Sequence, residues 1–144
     1  MLKIASVLGF LVMVAALVSL WAIGALITPQ PIAVAIQVLA VALMVWSRVT
    51  FGSRSYHPAA DPTSGGLVTT GPYHYIRHPI YTAACLFGWA AVFTHWSLQS
   101  AALGVLLIAG GLVRMLCEER LIMQVYPEYA EYSKTTKRMI PYVF

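Results

Sequence analysis

Apolar residues run without a single charge from Ile4 to Ile27, and again from about Ile32 to Trp46, with only the break "ITPQPI" between them. Shorter apolar runs follow at about Ile80 to Phe93 and Leu98 to Cys117. The first run is 24 residues long. At 1.5 Å per residue it reaches roughly 36 Å, more than the hydrocarbon thickness of a bilayer, and it spans with some tilt. A signal peptide is the rival reading, because Lys3 precedes the run; but the run is too long for a signal core and another follows at once. Pro29 and Pro31 remove backbone donors and push their predecessors out of helical geometry, so they end the first helix and open a tight hairpin. The second and third runs are short for a span and borrow Ser47, Tyr75 or Trp96 at the interface. The pattern predicts an all-α fold: one polytopic membrane helix bundle of about four transmembrane helices. Residues 1–47 form an N-terminal helical hairpin and 48–144 carry the chemistry, in a loop and a helical C-terminal tail.

Composition agrees. In 144 residues, 60% are hydrophobic and 10% charged, with a mean hydropathy of +0.76, outside the range of soluble globular domains. Charge placement adds an orientation. With four spans, Lys3, the connection holding Arg48, Arg54 and Arg77, and the tail holding Arg120, Lys134, Lys137 and Arg138 share one side. The segments "TPQP" and "THWSLQ" on the other side carry no charge. Both termini and the polar segments are therefore expected in the cytoplasm. The net charge of +4 is this bias written into composition and calls for no nucleic acid. Cys85 and Cys117 lie in apolar contexts and read as small buried hydrophobes. The four His are not spaced with Cys or carboxylates as ligands would be, so no metal site is expected.

The excess over a plain anchor begins at "TTGPYHYIRHPIYTAACLFGW", residues 69–89. Tyr73, His74, Tyr75, Arg77, His78 and Tyr81 crowd the start of an apolar run. One by one they read as belt tyrosines, a snorkelling arginine and a helix start with Pro79 in its first turn. Together they face a tail in which Arg114 lies inside the last apolar helix, four residues before Glu118. Arg114 and Glu118 share a helix face, and Glu119 lies about 100° further round. An i,i+4 ion pair is the structural reading of that spacing. Ionisable residues at membrane depth are also functional candidates. "YPEYAEY" reads as an interfacial amphipathic helix or as part of the same polar site.

"GPYHYIRHPIY" (71–81), "RMLCEE" (114–119) and "YPEYAEY" with "IPYVF" behind it, in this order, resemble the isoprenylcysteine carboxyl methyltransferase family and its relatives, the phospholipid N-methyltransferases. The resemblance covers roughly Gly65 to Phe144; the first two helices match only in being apolar. It implies methyl transfer from S-adenosylmethionine, held on the cytoplasmic face, to an amphipathic lipid-like acceptor entering from the bilayer. Carried over by position, the cofactor site takes Gly65, Gly66, Leu67, Val68, Tyr73, His78, Pro79, Ile80, Tyr81 and Glu118, with Glu119 beside it. Arg114 matches the arginine that contacts the acceptor, and Arg77 is a further catalytic candidate. Ala83 stands where relatives usually have Gly, and "VYPEY" is one residue shorter than the usual turn.

The residue types suit that chemistry. A carboxylate such as Glu118 meets amine or hydroxyl groups of the cofactor, Tyr73 and Tyr81 offer aromatic faces to adenine or a sulfonium, and Gly65-Gly66 permits close backbone approach. Arg114 can hold an acceptor carboxylate in a bidentate fork. A carboxylate acceptor, of the isoprenylcysteine type, needs no base, whereas a phospholipid amine must first lose a proton, to His78 or Glu119. Two other classes compete. An NADPH-dependent membrane reductase shares the Arg-His-Pro-x-Tyr motif but calls for more cations than Glu118 and Glu119 allow. A non-enzymatic scaffold leaves the loop and tail without a ligand. Ala83, Ala84, Gly88, Gly104, Gly110 and Gly111 leave room for a lipid groove or for close helix packing.

Overall fold

The computed structural model describes residues 1–52 and 66–144; Arg54 and Gly65 lie outside the described residues. Among the described residues there are five α-helices: α1 (Leu2–Ala22), α2 (Pro31–Phe51), α3 (Pro79–Thr94), α4 (Leu98–Val125) and the short α5 (Tyr129–Thr135). α1, α2 and α4 are long and apolar enough to cross a membrane, and α3 is a shorter apolar helix. Outward-facing Ile4, Leu8, Val18, Val38, Leu39 and Val105 are exposed from the protein, as lipid-facing residues are. The fold is thus the all-helical polytopic bundle expected.

The helix ends differ from the expected ones for local reasons. α1 stops at Ala22, not Ile27. Gly24 takes φ +72°, and two bonds close a Schellman motif, Ala25 N–H to Leu20 O and Gly24 N–H to Trp21 O, each at 2.9 Å. A glycine five residues before the first proline ends the helix, so the proline break does not. α2 starts with Pro31 in its first turn and continues past Trp46 to Phe51. α4 opens on a capping box, the Ser97 and Ser100 side chains each bonding the other's backbone N–H. It then runs 28 residues, about 42 Å, so its last two turns, with Glu118 and Glu119, extend well beyond the expected end at Cys117.

α1 and α2 leave their short connection for different partners. α1 runs antiparallel along α4, α2 packs along α3, and α3 lies against α4. Gln37, buried in α2, donates to Leu26 O at 2.8 Å and to Phe87 O at 3.4 Å. It ties that connection to α3 and satisfies an amide that would be costly in hydrocarbon. Cys85 and Cys117 are free and buried, as expected of small hydrophobes.

The small residues serve close packing. A Cβ on Gly9 would lie 2.7 Å from Gly110 O, and one on Gly110 would lie 2.7 Å from Gly9 O. The α1 and α4 backbones therefore touch at this pair. A Cβ on Gly88 would run into Leu107 Cδ2, and one on Gly104 would meet the Trp89 ring at 3.1 Å. Gly9, Gly88, Gly104 and Gly110 therefore admit a neighbouring helix, and protein fills the space at each. Gly111, with Met13 no nearer than 3.7 Å, is looser.

Candidate functional site

The start of α1, the end of α2, the start of α3 and the last turns of α4 all meet at one end of the bundle. There the chain before α3 makes a 3-10 turn over Gly71–His74. Gly71, at φ +56°, presses on the end of α2, where a Cβ would lie 2.7 Å from Thr50 Oγ1. The turn divides the aromatic cluster. His74 and Tyr75 point outward, edge to face with centroids 5.2 Å apart, as interfacial belt residues do. Tyr73 and Ile76 are buried, and Tyr73 packs against Phe51 at 5.4 Å.

Past this turn the tail folds back onto the start of α3. Arg77 N–H donates to Lys137 O at 2.8 Å and His78 N–H to Arg138 O at 2.9 Å; Ile76 and Lys137 form a parallel bridge. Thr82 Oγ1 donates to Met139 O at 2.9 Å, and Tyr132 Oη donates to Tyr73 O. Tyr129 of "YPEYAEY" is 3% exposed, so this segment is part of the polar cluster and not a simple belt. Burial raises the phenol of Tyr132 to about 12. Burial, then the charge of Glu118, raises Tyr73 further; burial, then the charge of Glu119, does the same for Tyr129. Tyr129 and Tyr132 therefore stay protonated and donate.

The two adjacent glutamates go to different partners. Glu118, partly open at 19% side-chain exposure, lies 3.1 Å from Arg114 Nε through Oε1. The same oxygen accepts from Tyr81 Oη at 2.5 Å. Arg114 Nε also donates to Tyr81 Oη at 2.6 Å, so an arginine, a phenol and a carboxylate form a closed triangle across α3 and α4. The expected i,i+4 pair is present with a third member between its partners. Phe10 of α1 lies under the Arg114 guanidinium, 4.9 Å from its ring centroid. The His78 ring stacks on Tyr81 at 5.7 Å, and its Nδ1 lies 3.9 Å from Glu118 Oε2.

Glu119 is buried. Its Oε1 accepts from Arg77 Nε at 3.0 Å and Tyr129 Oη at 3.3 Å, and lies 3.3 Å from His78 Nε2. Its Oε2 accepts from Arg138 Nε at 3.0 Å. Arg77 also donates through Nη1 to Ser133 O at 3.0 Å and to Thr136 O.

His78, Tyr81, Arg114, Glu118, Glu119 and Arg77 thus come together, with Pro79 buried and Ile80 packed into the core beside them. Gly66 takes φ +79°, and Leu67 and Val68 are half-buried. Phe10, Tyr129 and Arg138 were missed as partners. Nothing in the apolar run of α1 singled out Phe10, and Arg138 counted only as a charge. No group of three His, Cys, Asp or Glu suited to a metal occurs among the described residues.

The chain resembles known proteins over part of its length. A family model described as phospholipid methyltransferase matches residues 30–129. The cobalt-zinc-cadmium resistance protein CzcN of Cupriavidus metallidurans is 33% identical over 78 residues. That match covers 52% of this chain and 35% of CzcN, so it spans about a third of the relative's length. No solved structure matches at a significant level.

Proposed function

From a chain that belongs to the phospholipid methyltransferase family, we propose a membrane enzyme that moves a methyl group from S-adenosylmethionine to the carboxylate of an amphipathic, membrane-resident acceptor of the isoprenylcysteine type. The observation that carries the reading is the Arg114–Tyr81–Glu118 triangle beside His78, a polar cluster built from two membrane helices at the bundle's basic end.

The residues fit the cofactor. S-adenosylmethionine supplies an electrophilic methyl on a sulfonium. Glu118 keeps part of its surface and leaves Oε2 facing His78, an anionic edge that suits the cofactor's ammonium or hydroxyls. The stacked His78 and Tyr81 rings offer aromatic surface. Arg114 lies one turn deeper than Glu118, at the level where a lipid head group rather than a water-soluble nucleoside meets it.

A carboxylate acceptor is favoured because it is already ionised and asks for no base, because the Arg114 guanidinium suits an anionic head group, and because Glu119, held by two guanidiniums, is a poor base for an amine. Catalysis then rests on aligning the nucleophile, methyl carbon and sulfur and on excluding water. A phospholipid amine is the second reading, favoured by the description of the matching family model. Purified protein given methyl-labelled S-adenosylmethionine, with an S-farnesylcysteine derivative or phosphatidylethanolamine vesicles, decides between them. A carboxylate product is a methyl ester that releases volatile label in strong base; a methylated amine keeps it. Label in the vesicle lipid, stable to base, would replace the first reading by the second. Binding of NADPH but not S-adenosylmethionine in a calorimetric titration would remove both.

The site and both termini belong to the cytoplasmic face on this reading, supported by the gathering of Lys3, Arg48, Arg77, Lys134 and Arg138 at one end. Gln30, in the connection between α1 and α2, and Gln99, in the first turn of α4, are exposed at the other end. Cysteines replacing them are expected to react with an impermeant maleimide added outside intact cells. A cysteine at 99 that reacts only after the cells are opened would invert the orientation.

A further inference from the structure

We infer that Glu119 is a positioning residue that never touches the cofactor: it fixes the His78 ring so that Nδ1, bearing a lone pair, is presented to Glu118 and the ligand. The inference rests on the proposed cofactor site and deepens it. Glu119 is 4% exposed, and Arg77 and Arg138 each place a guanidinium nitrogen 3.0 Å from it. Two guanidiniums keep the carboxylate ionised, and an ionised carboxylate can only accept. His78 Nε2, 3.3 Å away, must then carry the ring proton. The geometry agrees: Nδ1 stands 3.9 Å from Glu118 Oε2, too far for a proton on it to be donated there.

A neutral ring protonated at Nε2 has an unprotonated Nδ1. That atom faces Glu118 Oε2 at 3.9 Å, beyond hydrogen-bond distance. Two acceptors face one another with no hydrogen between them, an arrangement satisfied by a donor such as an ammonium group. The neighbouring glutamates therefore divide the work. Glu118 meets the ligand, and Glu119 orients the histidine and, through Arg138 and Tyr129, clamps the tail behind it. Arg77 belongs to the clamp, with its other donors on Ser133 O and Thr136 O. An orienting carboxylate of this kind sets both tautomer and ring angle.

Nitrogen-15 NMR on full-length protein in micelles tests this without altering the site. Replacing His57, His74 and His95 by Gln leaves His78 as the only imidazole. At pH 8.5 the one-bond proton coupling is expected on Nε2 and not on Nδ1. A proton on Nδ1, as the other tautomer or as an imidazolium, overturns the inference. Added S-adenosylmethionine should move the Nδ1 resonance and leave Nε2 protonated; loss of the Nε2 proton on binding also overturns it. If the Nε2 tautomer is found but no S-adenosylmethionine binds, the positioning stands and the cofactor reading falls. Glu119→Gln should give mixed tautomers and weaken binding about tenfold, the low end for residues that orient a ligating imidazole. A variant with the native tautomer and native affinity would show that Glu119 positions nothing.

Discussion

Glu118→Gln is expected to weaken S-adenosylmethionine binding roughly ten- to a hundredfold, the worth of a hydrogen bond to a charged group, while Arg114→Ala leaves that affinity nearly unchanged and removes most turnover. The expectation comes from depth and exposure. Glu118 is the partly open carboxylate of the cluster, next to His78, whereas Arg114 is 6% exposed and one turn deeper, over Phe10. Either change also breaks the 3.1 Å pair, and leaving one buried charge without its partner costs about 3–5 kcal/mol in the worst case. Tyr81, bonded to both, softens the loss, since each survivor keeps one polar partner. Melting temperature in detergent and a binding titration separate the two effects. Loss of cofactor binding in a folded Arg114→Ala protein, with Glu118→Gln intact, would reverse the roles.

Gly110→Ala is expected to destabilise the protein by about 1–3 kcal/mol, the range for overpacking, although alanine is the better helix former. The added methyl would sit 2.7 Å from Gly9 O and 2.9 Å from Met13 Cγ. The oxygen belongs to helix backbone and cannot turn aside, so α1 must move off α4. Gly111→Ala is the control: its nearest neighbours are Met13 Cε and Sδ at 3.7 Å, and its melting temperature should hold or rise. Equal behaviour of the two variants would mean that the α1–α4 crossing lies elsewhere. The site should feel the change too, because a Cβ on Gly9 would come within 3.1 Å of Arg114 N. α1 thus supports the site although it lies outside the residues that match the family model.

The sequence by itself determined what local chemistry dictates. Long uncharged runs must be helices in a bilayer, since no other segment satisfies its own backbone there, and their number and approximate limits follow. The spacing of Arg114 and Glu118 places them on one face whatever surrounds the helix. The grouping of Tyr73, His78 and Tyr81 at a helix start, followed by two carboxylates, marked where the polar cluster lies. Where α1 ends was also local, in Gly24, but the two prolines gave the more obvious stop signal. The tertiary structure alone decided which partners each glutamate meets. Glu118 and Glu119 point about 100° apart on any helix, but only the packing of α3 against α4 turned one toward Tyr81 and Arg114. Only the returning tail surrounded the other with Arg77, Tyr129 and Arg138. The glycines were undecided for the same reason: a missing side chain reads alike whether a lipid or a helix fills the space. The partner that fills it is distant in sequence, as Gly9 is from Gly110, and no periodicity within one helix encodes it.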